Sequence, residues 1–356
     1  MKTCRGCASP TLEPVLDLGL VPAADHFPPA ETPVSEAESS HPLRMDLCGA
    51  CGLAQLADDD TQTEEPRGVE PEALRSQAAD AVRRLASAGW LRGNTVREFG
   101  SPHGGTWVPL LTERGYTEAE TADVVLDCFG IMHEPDQWSA FRARCLATSD
   151  DGVLLLQFHS LLTIVEQGQW NALRHGHFAY YSLTALRGLL AEVGMSMAAA
   201  WEFDLYGGTV LVAAVHGDAA PSAEVSAILA REAAFGITDA AVVADLNRQA
   251  RAQSESLARW LESAHQAGRT VYGYSASSRA VALLRLAGAD RSLLAGVADA
   301  SPAKQGRRMP GTDIPIISPQ QLVQAAPDDV LLTVPDILDE VAQRFPQLAG
   351  RWRISW

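Results

Sequence analysis

Short apolar runs alternate with helically spaced stretches over most of this chain. "TVREFG" (95–100), "ADVVLDCFG" (122–130) and "GVLLLQFH" (152–159) have the length and composition of buried strands. Residues 72–88 place Leu74, Ala78, Val82 and Leu85 on one helical stripe. "SLTALRGLLAEVG" (182–194) reads as an amphipathic helix stopped by Gly194, and "GGTVLVAAVH" (207–216) as a closing strand. This alternation predicts a mostly parallel, doubly wound sheet. After a break at "GDAAPS" (217–222), an Ala-rich helical region runs to about residue 267. "RTVYGYSASSRAVALLRLAG" (269–288) then predicts strand, small-residue turn at 275–278, and helix. "LAGVADAS", "IPIIS" and "DVLLTV" add short strands, with "SPQQLVQA" a helix between two of them, giving a second α/β unit.

Upstream, the acidic, proline-containing segment 57–72 reads as a linker. Before it, Cys4 and Cys7 form "CRGC", and Cys48 and Cys51 form "CGAC". Two such knuckles can set four thiolates tetrahedrally around a structural Zn²⁺, with a redox role as the alternative. Cys128 and Cys145 read as buried bystanders. The expected organisation is a zinc-binding module (1–65), a truncated Rossmann-like α/β domain (66–216) and a second Rossmann-like domain (217–356).

The 356 residues carry 44 acids against 28 bases, a formal charge of −16. That balance argues against a nucleic-acid partner, whose phosphates need Lys and Arg, but is compatible with a local basic pocket for a small phosphorylated ligand. No apolar run approaches the roughly 20 residues of a membrane span, and "MKTCRGCASPTLEPV" lacks a signal-peptide core. A cytoplasmic protein with no membrane partner is expected.

Several motifs together resemble the sugar C-methyltransferases of antibiotic biosynthesis. "SPAKQGRRMPGTDIPIISPQQL" (301–322) looks like that family's PxKQGRxLPGTxIPIxSP signature, and "GYSASSRAVALL" is similar to its GYGAxAKxxxLL turn. "LYGGTVLV" looks like HGGSLRV, and "RHGHFAYYS" like the YHEHxxYxS loop. The resemblance implies a zinc domain, an S-adenosylmethionine domain and a C-terminal Rossmann-like domain, acting on a nucleotide-linked keto-sugar that is enolised and then methylated. It also implies that His177 lies at the proton-abstraction site. A neutral imidazole suits that task near pH 7, whereas the residues alone would read His177 as a core histidine among Phe178, Tyr180 and Tyr181. His133 falls where the family has a histidine after its fourth strand. His159, at a strand end, has no family counterpart and reads as a substrate contact.

The departures point to altered chemistry. The family's donor loop, near E-x-G-S-N-D-G, is here "EFGSPHGG", leaving Gly100 and Gly104 as a degenerate cofactor loop. The 17 residues between Gly105 and Asp123 leave no room for two further strands with crossover helices. "RGVEPE" (67–72) looks like the ribose-binding GVEP but precedes the glycine loop, and reads as coincidence. Arg174 stands for Tyr, Gly176 for Glu, Tyr206 for His, and Gln157 for a strand-end Glu. Arg174 is either an anion- or carbonyl-binding residue or a surface arginine. Ser275, Lys304 and Arg308 form a candidate anion site, or "KQGRR" merely caps a solvated loop. The expected function is base-catalysed enolisation of a small keto substrate, nucleotide-linked or not, without S-adenosylmethionine. Its outcome would be epimerisation, isomerisation, elimination or cyclisation, with His177, His133, Arg174 and Tyr206 as the catalytic set. The alternatives are a working S-adenosylmethionine-dependent C-methyltransferase and a non-catalytic scaffold.

Overall fold

The computed structural model describes residues 2–61, 69–102 and 104–354. The expected linker 57–72 lies partly outside these residues, and His103 of the donor loop lies outside them too.

The cysteine-rich segment builds a sheet as well as a knuckle pair. β1 (Leu12–Val21) runs antiparallel to β2 (His41–Cys48), which pairs with β3 (Ala54–Leu56). Val15, Leu16, Leu43, Met45, Leu47 and Leu56 are buried in it. A fourth short strand, Ala179–Tyr180, joins β3 from far along the chain. Backbone hydrogen bonds therefore stitch the RHGHFAYYS loop to the N-terminal sheet, which fixes a segment that loop composition alone would leave mobile.

The middle region runs α1 (Glu72–Ser87), β4 (Thr95–Glu98), α2 (Val108–Thr112), β5 (Thr117–Glu118), β6 (Ala122–Cys128), α3 (Gln137–Ala147), β7 (Thr148–His159) and α4 (Leu161–Glu166). It continues with β8 (the Ala179–Tyr180 strand), α5 (Leu183–Glu192), β9 (Met195–Phe203) and β10 (Thr209–His216). The sheet order is β5-β4-β6-β7-β10-β9, with only β10 antiparallel to its neighbours. β6 and β7 bury both faces, as their unbroken apolar runs demand.

Between Gly105 and Asp123 there is room for one further strand rather than two: the two-residue β5, parallel to β4. It fits because α2 is only five residues long and because β5 reaches β6 through three residues without a helix. Glu118 pairs with Val96, so β5 stops two positions short of Glu98 at the end of β4. Among the described residues no further strand lies beyond β5.

The C-terminal region begins with α6 (Ala223–Phe235), α7 (Ala240–Val243) and α8 (Asp245–Gln266). A parallel sheet follows: β11 (Val271–Tyr274), α9 (Ser278–Leu286), β12 (Val297–Ala298), β13 (Ile316–Ile317), α10 (Pro319–Ala325), β14 (Asp329–Leu332), α11 (Leu338–Arg344) and β15 (Trp352–Ile354). Its order is β13-β12-β11-β14-β15. α8 leans on the first sheet, where the Asn247 side chain donates to the Val15 carbonyl and accepts from the Asp17 N–H. No helix among the described residues is long and apolar enough to cross a membrane.

Candidate active site and zinc site

The carboxyl ends of β4, β6, β7 and β11 open onto one cavity of about 300 Å³. This is where open α/β sheets place ligands. His177, His133, Arg174, Tyr206, His159, Ser275, Lys304, Gly100 and Gly104 all line it, although they lie up to 204 positions apart.

Two turns bring the histidines together. Asp127, fully buried at the end of β6, accepts from the Gly130 and Ile131 N–H groups and from Arg144 Nε at 2.7 Å. That ties down the 130–133 turn carrying His133. Opposite it, Gly176 adopts φ 77°, a conformation that suits glycine better than the family's Glu. Gly176 donates to Asp59, and its carbonyl accepts from His133 Nδ1 at 2.8 Å. The His133 and His177 rings pack edge to face with centroids 4.2 Å apart. Arg174 Nε lies 2.7 Å from His177 Nε2. A guanidinium only donates and a carbonyl only accepts. His177 therefore accepts at Nε2, and His133 donates at Nδ1, leaving its Nε2 as the acceptor nitrogen. His177 is 3% exposed, so it is a buried group.

Arg279, on the first turn of α9, belongs to this site; the sequence pointed to it only as the last residue of the "SASSR" turn. Its charge at the end of the "SASS" turn was the available signal. Arg279 Nη2 sits 3.2 Å from His159 Nδ1, and its guanidinium lies 5.0 Å from the centre of the Tyr206 ring. Burial, and then repulsion from Arg174, lower its pKa to about 10. Burial holds the His159 imidazole neutral, well below its usual range, and the two arginines add to that. Burial likewise raises the Tyr206 phenol, keeping it a donor. Tyr206 (φ 54°) and Ser275 (φ 74°) are both in left-handed backbone, unusual for such residues and a mark of functional turns.

Lys304 reaches the cavity wall, donating to the Ala276 carbonyl over the Phe27 ring. Arg308 is not brought to the cavity. It is 1% exposed and forms a bidentate pair with Glu38, with further bonds to the Thr32, Pro33 and Thr312 carbonyls. Its charge was legible in the sequence, but its partner on a distant loop was not.

On the donor-loop side, Glu98 accepts from the Trp107 N–H at 2.8 Å and from the Thr106 hydroxyl. Glu70 lies against the loop: a Cβ on Gly105 would stand 2.8 Å from its Oε1. The "GVEP" segment therefore reaches the glycine loop through Val69, Glu70 and Pro71, which line the cavity. Its order in sequence does not keep it away from that loop. Cys128 also lines the cavity, with burial raising its thiol well above the usual range.

The four knuckle sulfurs lie within 4.8 Å of one another, with Cys4–Cys51 and Cys7–Cys48 each at 3.6 Å. A tetrahedron of 2.3 Å Zn–S bonds has edges of about 3.8 Å, so the four thiols fit Zn²⁺. Such an ion would be closed to substrate and would act through folding. Arg5, inside the first knuckle, donates to the Leu56 and Pro135 carbonyls, and its guanidinium lies 4.8 Å from the centre of the Phe178 ring. The knuckle thus braces both turns that carry the histidines.

The C-terminal half decides the kinship. Residues 204–353 match the family model described as "C-methyltransferase C-terminal domain", and residues 4–64 match the "Putative zinc binding domain". Residues 204–353 are a C-methyltransferase C-terminal domain. C-methyltransferase NovU of Streptomyces niveus is 30% identical over 236 residues, covering 63% of this chain and 54% of that protein. The chain thus spans about half the length of the curated relative it matches. Among solved structures, a Burkholderia thailandensis 1,6-didemethyltoxoflavin-N1-methyltransferase with bound S-adenosylhomocysteine is 12% identical. It covers 47% of this chain and 96% of its own at a TM-score of 0.32. The magnesium protoporphyrin IX methyltransferase of Synechocystis is also 12% identical, covering 41% and 84% at 0.29. Likenesses this low add nothing to the topology already described.

Proposed function

We propose that this protein moves a proton at the carbon beside a ketone and does so without S-adenosylmethionine. The observation that carries the reading is the His133–His177–Arg174 cluster, which faces a cavity whose donor side is altered. His177 Nε2 takes the proton, and the C–H electron pair passes to the carbonyl oxygen. The Tyr206 hydroxyl meets the enolate as it forms. His133 is not suited to that second task, because its neutral form presents an acceptor nitrogen. It is instead the second imidazole, placed to relay the proton. Return of a proton to the opposite face gives an epimer, and return to another atom gives an isomer.

Three features of the donor side support cofactor independence. The Glu98 carboxylate is occupied by residues 106–107. α2 is too short to provide a helix-terminus anion site, and β5 stops below the level of Glu98. Calorimetric titration with S-adenosylmethionine tests this. The expected result is no binding tighter than on the order of 0.1 mM, about 5 kcal/mol of binding free energy. A micromolar dissociation constant would favour the second reading, methylation of the same enolate, which rests on the family match across 204–353.

A further inference from the structure

Tyr206 stands in a turn that its own segment does not hold. The turn 205–207 joins β9 to β10, and Tyr206 has φ 54° and ψ 31° there. A bulky side chain keeps such left-handed backbone only where its surroundings enforce it. On one side the surroundings are α4 and the residues just after it. Gln167 Nε2 donates to the Gly207 carbonyl at 2.7 Å, and a Cβ on Gly208 would stand 2.6 Å from Thr163 Oγ1. On the other side the C-terminal region supplies a single carboxylate. Asp336 lies in the short turn 335–337 beyond the carboxyl end of β14, and its Oδ1 accepts from the Tyr206 N–H at 2.6 Å, across 130 positions. A carboxylate on a backbone N–H is a charge-assisted contact, stronger than a neutral one. The ring follows from that backbone. It packs edge to face on Phe129, centroids 5.8 Å apart, with the Arg279 guanidinium 5.0 Å from its centre. Both Asp336 and Tyr206 line the cavity. The Asp336 charge also favours the Arg279 guanidinium and opposes ionisation of the phenol, so both remain donors.

We infer that Asp336 is a positioning residue for Tyr206, holding from the C-terminal region the turn whose hydroxyl meets the forming enolate. The task of the hydroxyl rests on the enolisation reading, whereas the hold of Asp336 on the turn does not. Released from Asp336, Tyr206 would relax toward right-handed or extended backbone, because left-handed backbone crowds its Cβ. That change redirects the Cα–Cβ bond and carries the phenol away from its place beside Arg279. An oxyanion donor acts by being aimed beforehand at the atom where charge develops, and small misplacements cost rate. Loss of Asp336 is therefore felt in the chemical step rather than in substrate affinity. The two halves of the proton transfer then have different supports. The base His177 is braced by the N-terminal sheet, and the donor Tyr206 by the C-terminal region. Asn at 336 keeps an acceptor oxygen for the Tyr206 N–H, and Ala keeps none.

The test follows the zinc-loaded full chain by two readouts. The first needs no substrate: the Tyr206 ring resonances of tyrosine-labelled protein, assigned with Tyr206→Phe. They should shift in Asp336→Ala and stay near their wild-type positions in Asp336→Asn. The second is deuterium exchange into a nucleotide-linked keto-sugar. Asp336→Ala should lower kcat about 10- to 100-fold with KM nearly unchanged, the scale of a misplaced catalytic group, and Asp336→Asn should recover most of the rate. Tyr206→Phe should lose about 10²–10³-fold, and adding Asp336→Ala to it should cost little more, because residues that act as a unit are not additive. Unmoved ring resonances in a folded Asp336→Ala protein would overturn the hold. Should that variant fail to fold, the wild type decides: its Tyr206 amide proton should be protected from solvent exchange, and an unprotected amide would overturn the hold as well. A full further loss in the Tyr206→Phe background, or an effect on KM alone, would show Asp336 acting elsewhere and overturn the inference. Shifted resonances in a protein that exchanges no substrate hydrogen would keep the hold and remove the enolisation reading.

Discussion

The Nε of Arg174 donates to Nε2 of His177 at 2.7 Å, three residues away across the Gly176 turn. This contact makes Nε2 of His177 the acceptor nitrogen of its ring. It also occupies the lone pair that a base must use. His177→Ala should therefore reduce α-hydrogen exchange by about 10²–10⁴-fold, the usual loss on removing a general base. Thermal melting should show the variant still folded. Full exchange activity in that variant, or its failure to fold, would make His177 a core residue.

The knuckle residues are further from the chemistry yet should matter to it. Arg5 bridges the first zinc knuckle to Pro135 and Phe178. Elemental analysis should find one zinc per chain. Arg5→Ala should keep that zinc but slow exchange by about 10-fold or more, since small displacements of catalytic groups are costly. Chelation, or Cys4→Ser, should loosen the first sheet and the histidine turns together. An Arg5→Ala protein at full rate would confine the knuckle to its own module.

The alternation of apolar runs made both α/β units legible, because β6, β7 and β10 are buried on both faces and need no long-range context. The cysteine spacing likewise announced its cluster. The N-terminal sheet was hidden because β1 mixes Glu13, Pro14 and Asp17 with its apolar residues, and β8 is too short to leave a pattern. β5 escaped notice because a two-residue strand breaks the length rule for crossovers. At the site, His177, His133 and Arg174 were found through a resemblance rather than periodicity. Arg308 was misassigned because burial of a cation depends on a partner, Glu38, 270 positions away. Arg279 was legible only as part of the "SASSR" turn, because one arginine at a helix start looks like any other until a fold gathers a second beside it.

Arg308 offers a test of structural against binding roles. Removing one member of a buried ion pair strands the other, so Arg308→Ala should destabilise the protein by about 3 kcal/mol. Denaturant melts would measure this. Substrate KM should stay unchanged in the folded fraction, whereas Lys304→Ala should raise it. A KM effect without lost stability would return Arg308 to the binding site.

Buried His159 and His175 set a pH limit. Burial lowers both pKa values in the folded protein, so the unfolded chain takes up their protons first as pH falls. Their stabilisation is complete above the unfolded value near 6.5 and is lost progressively below it. Melting temperature should decline from about pH 7 toward pH 5, and His175→Gln should flatten that decline. A melting temperature that rises over the same interval would contradict the burial of these groups.

Hydrogen exchange into substrate reads proton abstraction directly. A nucleotide-linked keto-sugar incubated in deuterated water with the wild-type protein, and no S-adenosylmethionine, should gain deuterium beside its ketone. His177→Ala should lose that exchange. Exchange that appears only when S-adenosylmethionine is added, accompanied by a methylated product, would contradict the account.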